Sequence, residues 1–203
     1  MPVTRTLLIV VSAPSGAGKT TLCDRLRREH PELAYSVSCT TRAPRGQEVD
    51  GEDYVFLTPA EFERRVAQGL FLEHAVVHGN RYGTLKETVR AAMAAGHSVL
   101  MDIDVQGAAQ IRERVAALPA GDPLREGFVD IFIEPPSLDA LRRRLERRAE
   151  DAPDVIERRL RQAEVELARR GEYRHRIVND DLDRAYAEFR DCIRGEMSAA
   201  TGK

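Results

Sequence analysis

The apolar residues of this chain gather in short unbroken runs instead of alternating with polar ones. Thr6 to Ser12 reads TLLIVVS, and VLMDID (Val99 to Asp104), FVDIFI (Phe128 to Ile133) and RIVN (Arg176 to Asn179) are comparable. A strand with one wet face alternates, so unbroken β-rich runs predict central parallel strands covered on both sides. Between and after them, helical patterns cover Thr20 to Arg28, Leu85 to Ala95, Leu138 to Arg148, Val155 to Arg170 and Leu182 to Gly195. Strands alternating with helices predict an α/β fold with helices on both faces of a parallel sheet.

Two stretches interrupt the alternation. Residues 35–84 read as short strands and one helix, Pro59 to Gln68 with Thr58 as N-cap, which predicts a small inserted α+β subdomain. Residues 135–161 are two arginine-dense helical pieces around AEDAP, with Pro153 suited to a first helical turn. Their apolar positions are sparse, so a mobile helical lid is expected there instead of core. The core is then residues 5–34, 85–134 and 162–198 of one domain. Composition narrows the class. A net charge of -2 over 203 residues offers no global attraction to nucleic acid or to an anionic membrane, so any anion site must be local. The N-terminal apolar run is too short to span a bilayer. Cys23, Cys39 and Cys192 lie far apart with no C-x-x-C spacing, which fits a reducing cytoplasm.

The first strand runs directly into Ala13, Pro14, Ser15, Gly16, Ala17, Gly18, Lys19, Thr20 and Thr21, which open the first helix. This is the context that G-x-x-x-x-G-K-[ST] requires, although Ala13 replaces the first glycine. Curled backbone turns successive N–H groups toward one anion, and the helix N-terminus adds partial positive charge. Lys19 is expected to bridge β- and γ-phosphates and Thr20 to ligate Mg²⁺. Asp102 and Asp104 end an apolar strand at the sheet edge where open α/β sheets bind ligands. A carboxylate there can hold the metal through water, a role given to Asp102. A P-loop NTPase-type core is the expected fold.

The acceptor side is suggested by SCTTRAPRGQEVDGEDY, Ser38 to Tyr54, a run with almost nothing to bury. Arg42 and Arg45 flank Pro44, and two forked guanidinium groups suit a phosphate dianion. Tyr54 and Tyr82 can add hydroxyl donors, and Glu73 places one carboxylate beside an apolar run. With SAPSGAGKTT, SVSCTTRAPR, GEDY, FLEHAVVHGNRYGT, DIDVQGAAQIR, PPSLDALRRRLERR and IVNDDLDRAY in order, the chain resembles the guanylate kinases from residue 7 to about 190.

That resemblance implies ATP and GMP as substrates, Mg²⁺ as cofactor, and no nucleic-acid or membrane partner; it leaves a homo-oligomer open. It implies that Arg42, Arg45, Tyr54 and Tyr82 hold the acceptor phosphate. Ser38, Glu73 and Thr84 read guanine, with Asp102 and Asp104 nearby. Lys19, Arg144, Arg148 and Arg159 clasp the transferring group, and Asn179 lies near the adenine. Chemistry agrees on the base: guanine offers N1–H and N2–H₂ donors to one carboxylate, whereas adenine would face it with a lone pair. The chain departs from the family in its Gly46-Gln47-Glu48 order and in having Arg81 where a tyrosine is usual. His74 and His78, on a strand, would stand about 13 Å apart and are not expected to share a metal. Cys39 has no evident activating neighbour and is expected to be structural. A sugar-phosphate kinase of the same build, a non-catalytic binding domain and a GTP switch are the alternatives; the last lacks N-K-x-D.

Overall fold

The computed structural model describes residues 5–77, 79–148 and 152–199, and of Arg148 the backbone alone. The elements in chain order are β1 (Leu8–Ser12), α1 (Lys19–Glu29), β2 (Ala34–Tyr35), β3 (Cys39–Thr40), β4 (Val55–Phe56), α2 (Pro59–Ala67), β5 (Phe71–Val77), β6 (Asn80–Leu85) and α3 (Lys86–Ala94). They continue with β7 (Val99–Asp102), α4 (Val105–Ala116), α5 (Pro123–Gly127), β8 (Phe128–Glu134), α6 (Leu138–Arg148), α7 (Pro153–Ala168), β9 (His175–Val178) and α8 (Leu182–Ser198). Among the described residues, no helix is long and apolar enough to cross a membrane.

The main sheet has the order β2-β7-β1-β8-β9, and every pairing in it is parallel. The central strand explains its own sequence. Leu7, Ile9 and Val11 enter a cluster with Leu22 and Leu26 of α1 and Tyr186 and Phe189 of α8. Leu8 and Val10 enter the opposite cluster with Val89 and Met93 of α3 and Val105, Ala108 and Ile111 of α4. Both faces being dry, the run from Leu7 to Val11 is apolar throughout, each large side chain worth about 1.5–3 kcal/mol of burial.

The smaller sheet has the order β4-β3-β6-β5. Its helix α2 is capped as its sequence predicts, with Thr58 Oγ1 accepting from the Glu61 N–H at 3.2 Å. Phe62 of α2 stacks on Phe71 at 4.4 Å to form a separate small core with Cys39. Tyr35, expected at the start of the inserted part, instead pairs with Leu100 in the main sheet.

Three expectations need correction. The strand expected over Val99 to Asp104 stops at Asp102, because Asp104 caps α4, a helix absent from the reading above. Its buried residues Val105, Ala108, Ile111 and Val115 do keep helical spacing, broken only by polar and small neighbours. Second, β9 ends at Val178, leaving Asn179 beyond it. Third, the apolar positions of α6 and α7 are sparse but not idle. Leu141 and Leu145 pack with Ile156, Leu160 and Ala163 into a buried cluster of their own, so these helices have a core instead of lacking one.

Candidate active site

The phosphate loop leaves the carboxyl end of β1 and enters α1 through Gly18, whose φ of 95° is left-handed. A β-carbon on Gly18 would stand 2.2 Å from Asn179 Nδ2, so both conformation and space require glycine. Asn179 is buried and donates its amide to the Ala17 carbonyl at 2.7 Å, while its own N–H donates to the Glu134 carbonyl at 2.8 Å. It therefore straps the end of β9 to the loop, a structural task the sequence reading did not assign. Within the loop the Ala17 N–H donates to the Pro14 carbonyl at 3.0 Å, and Ala13 packs against the core. Ser15, Thr20 and Thr21 are exposed.

Lys19 projects to the neighbouring strand end. Its Nζ lies 2.6 Å from Asp102 Oδ1 and donates to the Ile103 carbonyl at 3.1 Å. Parallel pairing of β1 with β7 puts Val11 opposite Asp102 and so brings these groups together. Asp104 lies close by but is engaged otherwise: its Oδ1 accepts the Gln106 and Gly107 N–H groups at 2.9 and 2.7 Å.

The lid helices touch this loop. A β-carbon on Gly16 would meet Leu141 Cδ1 and Leu145 Cδ2 at 3.0 Å each, so α6 covers it. Arg144 Nη2 donates to the Asn179 carbonyl at 2.6 Å, which sets one expected arginine beside the loop. Arg159 is half-buried on α7, next to the buried Leu160. The side chain of Arg148 lies outside the described residues, as does His78.

On the acceptor side, Arg42 is held by Glu48 through two bonds, Nη2 to Oε1 at 2.8 Å and Nη1 to Oε2 at 3.0 Å. Glu48 Oε2 also accepts the Arg45 N–H at 2.8 Å, so one carboxylate sets the turn that carries both arginines. The pair holds the Glu48 carboxyl below its ordinary range. Gly46 takes a φ of 51°, letting the chain turn back to Glu48 despite the unusual residue order. The Tyr54 and Tyr82 rings stand edge to face at 6.1 Å, and the Arg42 guanidinium lies 5.3 Å from the Tyr54 ring centroid. Arg81 reaches Glu63 of α2 at 2.8 Å, which accounts for this departure as an ion pair within the subdomain.

Glu73 is the unusual group. It is only 5% exposed, and its Oε1 accepts from Thr84 Oγ1 at 2.8 Å. Among the described residues no salt bridge compensates it. Burial, reinforced by the neighbouring Asp104 charge, raises its carboxyl from an ordinary 4.5 to about 7, although the Thr84 hydrogen bond opposes the rise. Its Oε2 lies 3.1 Å from where a Gly107 β-carbon would be, against the start of α4. A cavity of about 250 Å³ runs beside it, lined by Ser38, Tyr54, Thr84, Asp102 and Ile103 among others. The structure thus brings Ser38, Tyr54, Thr84 and Asp102 around one space, with Glu73 at its flank.

Cys39 is buried and its thiol is pushed up by that burial, as a structural cysteine would be. Sequence reasoning missed Glu48 as the organiser of the arginine turn and Gly107 as the floor beneath Glu73. The first could have been found from its spacing of three from Arg45, the second only by recognising α4.

These features agree with what known proteins resemble. A family model described as guanylate kinase matches residues 5–196. The chain is 48% identical to the guanylate kinase of Anaeromyxobacter dehalogenans over 198 residues, 97% of this chain and 84% of that one. It is 47% identical to that of Alkalilimnicola ehrlichii over 90% of this chain and 85% of the other. The crystal structure of guanylate kinase from Anaplasma phagocytophilum superposes with a TM-score of 0.71 at 32% identity, covering 97% and 89% of the two chains. With a match running from the first core strand to the last helix, the chain belongs to the guanylate kinase family.

Proposed function

We propose that the cleft between the phosphate loop and the smaller sheet transfers the ATP γ-phosphoryl group to GMP through the residues assigned below. The chain is an ATP:GMP phosphotransferase, yielding ADP and GDP. In this reading Ala13 to Thr21 cradle the ATP phosphates and Arg42, Arg45, Tyr54 and Tyr82 hold the GMP phosphate. Ser38, Glu73 and Thr84 read the guanine edge, with Asp102 and Asp104 at its side. Asn179 lies near the adenine and also shapes the loop through its bond to the Ala17 carbonyl.

The observation that carries the reading is the buried Glu73, fixed by Thr84 at 2.8 Å and in no salt bridge among the described residues. A carboxylate withdrawn from water at several kcal/mol of cost has a use when a ligand brings paired N–H donors to it. Guanine does so and adenine does not. The acceptor phosphate oxygen is already ionised, so no general base is needed. Catalysis is positioning and charge neutralisation by Lys19 with Arg144, Arg148 and Arg159 of the lid.

Mg²⁺ fits the donors present. Thr20 offers an exposed hydroxyl on the first turn of α1, and the Asp102 carboxylate remains partly exposed. Both are hard oxygen ligands of the kind that share this ion with phosphates and water, Thr20 directly and Asp102 through water. When bound, the ion neutralises phosphate charge. Three free thiols support work in a reducing cytoplasm, and the charge balance supports small-molecule partners over nucleic acid.

The test is an acceptor panel of GMP, dGMP, AMP, IMP and sugar phosphates in a coupled assay of ADP release. GMP is expected to have the highest kcat/KM, with discrimination against AMP of about 10⁴ or more. Any other purine or a sugar phosphate as best acceptor removes the reading.

A further inference from the structure

Glu73 does not sit on a regular strand. Phe71 pairs with Leu85 and Glu73 with Thr84, so two steps along β5 match one step along β6 and Leu72 is the extra residue of a bulge. Bulges re-aim the side chains that follow them. Here Phe71 goes to the small core, Leu72 to the main core, and Glu73 is buried between Thr84 and the start of α4, beside the cavity that Thr84 lines. A bulge also leaves backbone groups without ladder partners, and β5 is the edge of its sheet.

Helix α4 supplies those partners from one stripe. Gly107, Gln110 and Arg114 are spaced three and four apart and so share a helix face. Gly107 lies beneath the Glu73 carboxylate. Gln110 Nε2 donates to the His74 carbonyl at 2.8 Å, and its Oε1 accepts the His74 N–H at 3.2 Å, as a neighbouring strand would. Arg114 Nη1 donates to the Phe71 carbonyl at 2.8 Å and to the Leu72 carbonyl as well. The residues on either side of Glu73 are thus bonded to α4. That helix packs on the main sheet through Val105, Ala108 and Ile111.

We infer that Gln110 and Arg114 are positioning residues for guanine selection, fixing the bulge so that Glu73 is registered to the core helix instead of moving with the rest of its sheet. The inference rests on Glu73 as the guanine reader. Without the clamp the bulge can relax and the carboxylate can shift, and a displacement of about 1 Å in such a site costs on the order of 100-fold in rate. The loss falls on the base edge. Neither residue contacts the phosphate loop or the arginine turn in any bond described above.

The experiment measures kcat and KM for GMP, IMP and ATP in the wild type, Gln110→Ala, Arg114→Met, Arg114→Lys and Glu73→Gln, with thermal midpoints in parallel. IMP lacks the 2-amino group, so the GMP-to-IMP preference reads the second bond to Glu73. In Gln110→Ala and Arg114→Met, kcat/KM for GMP should fall about 10- to 100-fold, and the preference for GMP over IMP should shrink by about threefold or more. KM for ATP should stay within about twofold, because no donor-side contact is removed. Arg114→Lys should recover much of the preference, since an ammonium can still donate to those carbonyls. Equal losses for GMP and IMP, or a parallel rise in KM for ATP, would overturn the positioning role. Unchanged preference in Gln110→Ala with lost preference in Glu73→Gln overturns it as well. Unchanged preference in Glu73→Gln instead defeats the assignment of Glu73 itself. Should Arg114→Met not fold, Arg114→Lys and Gln110→Ala still decide the question.

Discussion

The raised Glu73 carboxyl makes GMP binding depend on pH in a way that can be worked out in advance. With its carboxyl at about 7, Glu73 in the free protein is mostly protonated at pH 6 and mostly ionised at pH 8. The ionised share goes from about one in ten to about nine in ten. Only the carboxylate can accept both guanine donors, so GMP affinity should fall about tenfold between pH 8 and pH 6 on this account. The GMP phosphate loses its second charge near pH 6 and weakens binding too. Glu73→Gln keeps the phosphate effect and removes the carboxyl, so the ratio of wild-type to variant affinity isolates Glu73.

Calorimetric titration at pH 6.5 in buffers of different ionisation enthalpy should show more protons released as GMP binds the wild type than as it binds Glu73→Gln. Stability follows the opposite sign. A folded-state value raised above 4.5 stabilises the fold fully below 4.5 and loses that contribution as pH rises through about 7. The full span is about 3 kcal/mol. The thermal midpoint of Glu73→Gln relative to wild type should therefore climb from pH 4.5 to 7. A constant wild-type-to-variant affinity ratio from pH 6 to 8, with proton release no greater than in Glu73→Gln, would refute this account of Glu73.

Lys19→Met should lower kcat by about 100-fold or more with circular dichroism unchanged, because it removes the cation between Asp102 and the phosphates; unchanged turnover would take Lys19 out of the mechanism. Gly18→Ala forces a β-carbon to within 2.2 Å of Asn179 at a left-handed φ, and should weaken ATP binding and cost about 2 kcal/mol or more in a denaturant titration. Leu145→Ala opens the small core of α6 and α7 and should destabilise it by about 2–5 kcal/mol, read as faster amide exchange over residues 138–168 and a raised KM for ATP. Exchange unchanged in those helices would mean that the cluster does not hold them.

The sequence by itself determined what each residue's own burial writes into its pattern. β1 was legible because Leu7 to Val11 are buried on both faces, and a dry strand admits no polar alternate. The phosphate loop was legible because its glycines and its Lys-Thr pair are contiguous. α4 was not, since its capping aspartate looked like a strand end and its clamp residues Gly107, Gln110 and Arg114 interrupt the apolar spacing. β3 and β4 are two residues each, too short to show any period. Family resemblance could nominate Glu73, Arg42 and Asn179, but only the tertiary structure decided their surroundings. Glu48 takes Arg42, Asn179 ties down Ala17, and a bulge on an edge strand drives Glu73 out of water against a helix more than thirty residues away. The division has a physical cause: periodicity records whether a position is wet or dry, whereas hydrogen bonds and carboxyl protonation depend on which distant groups packing brings within about 3 Å.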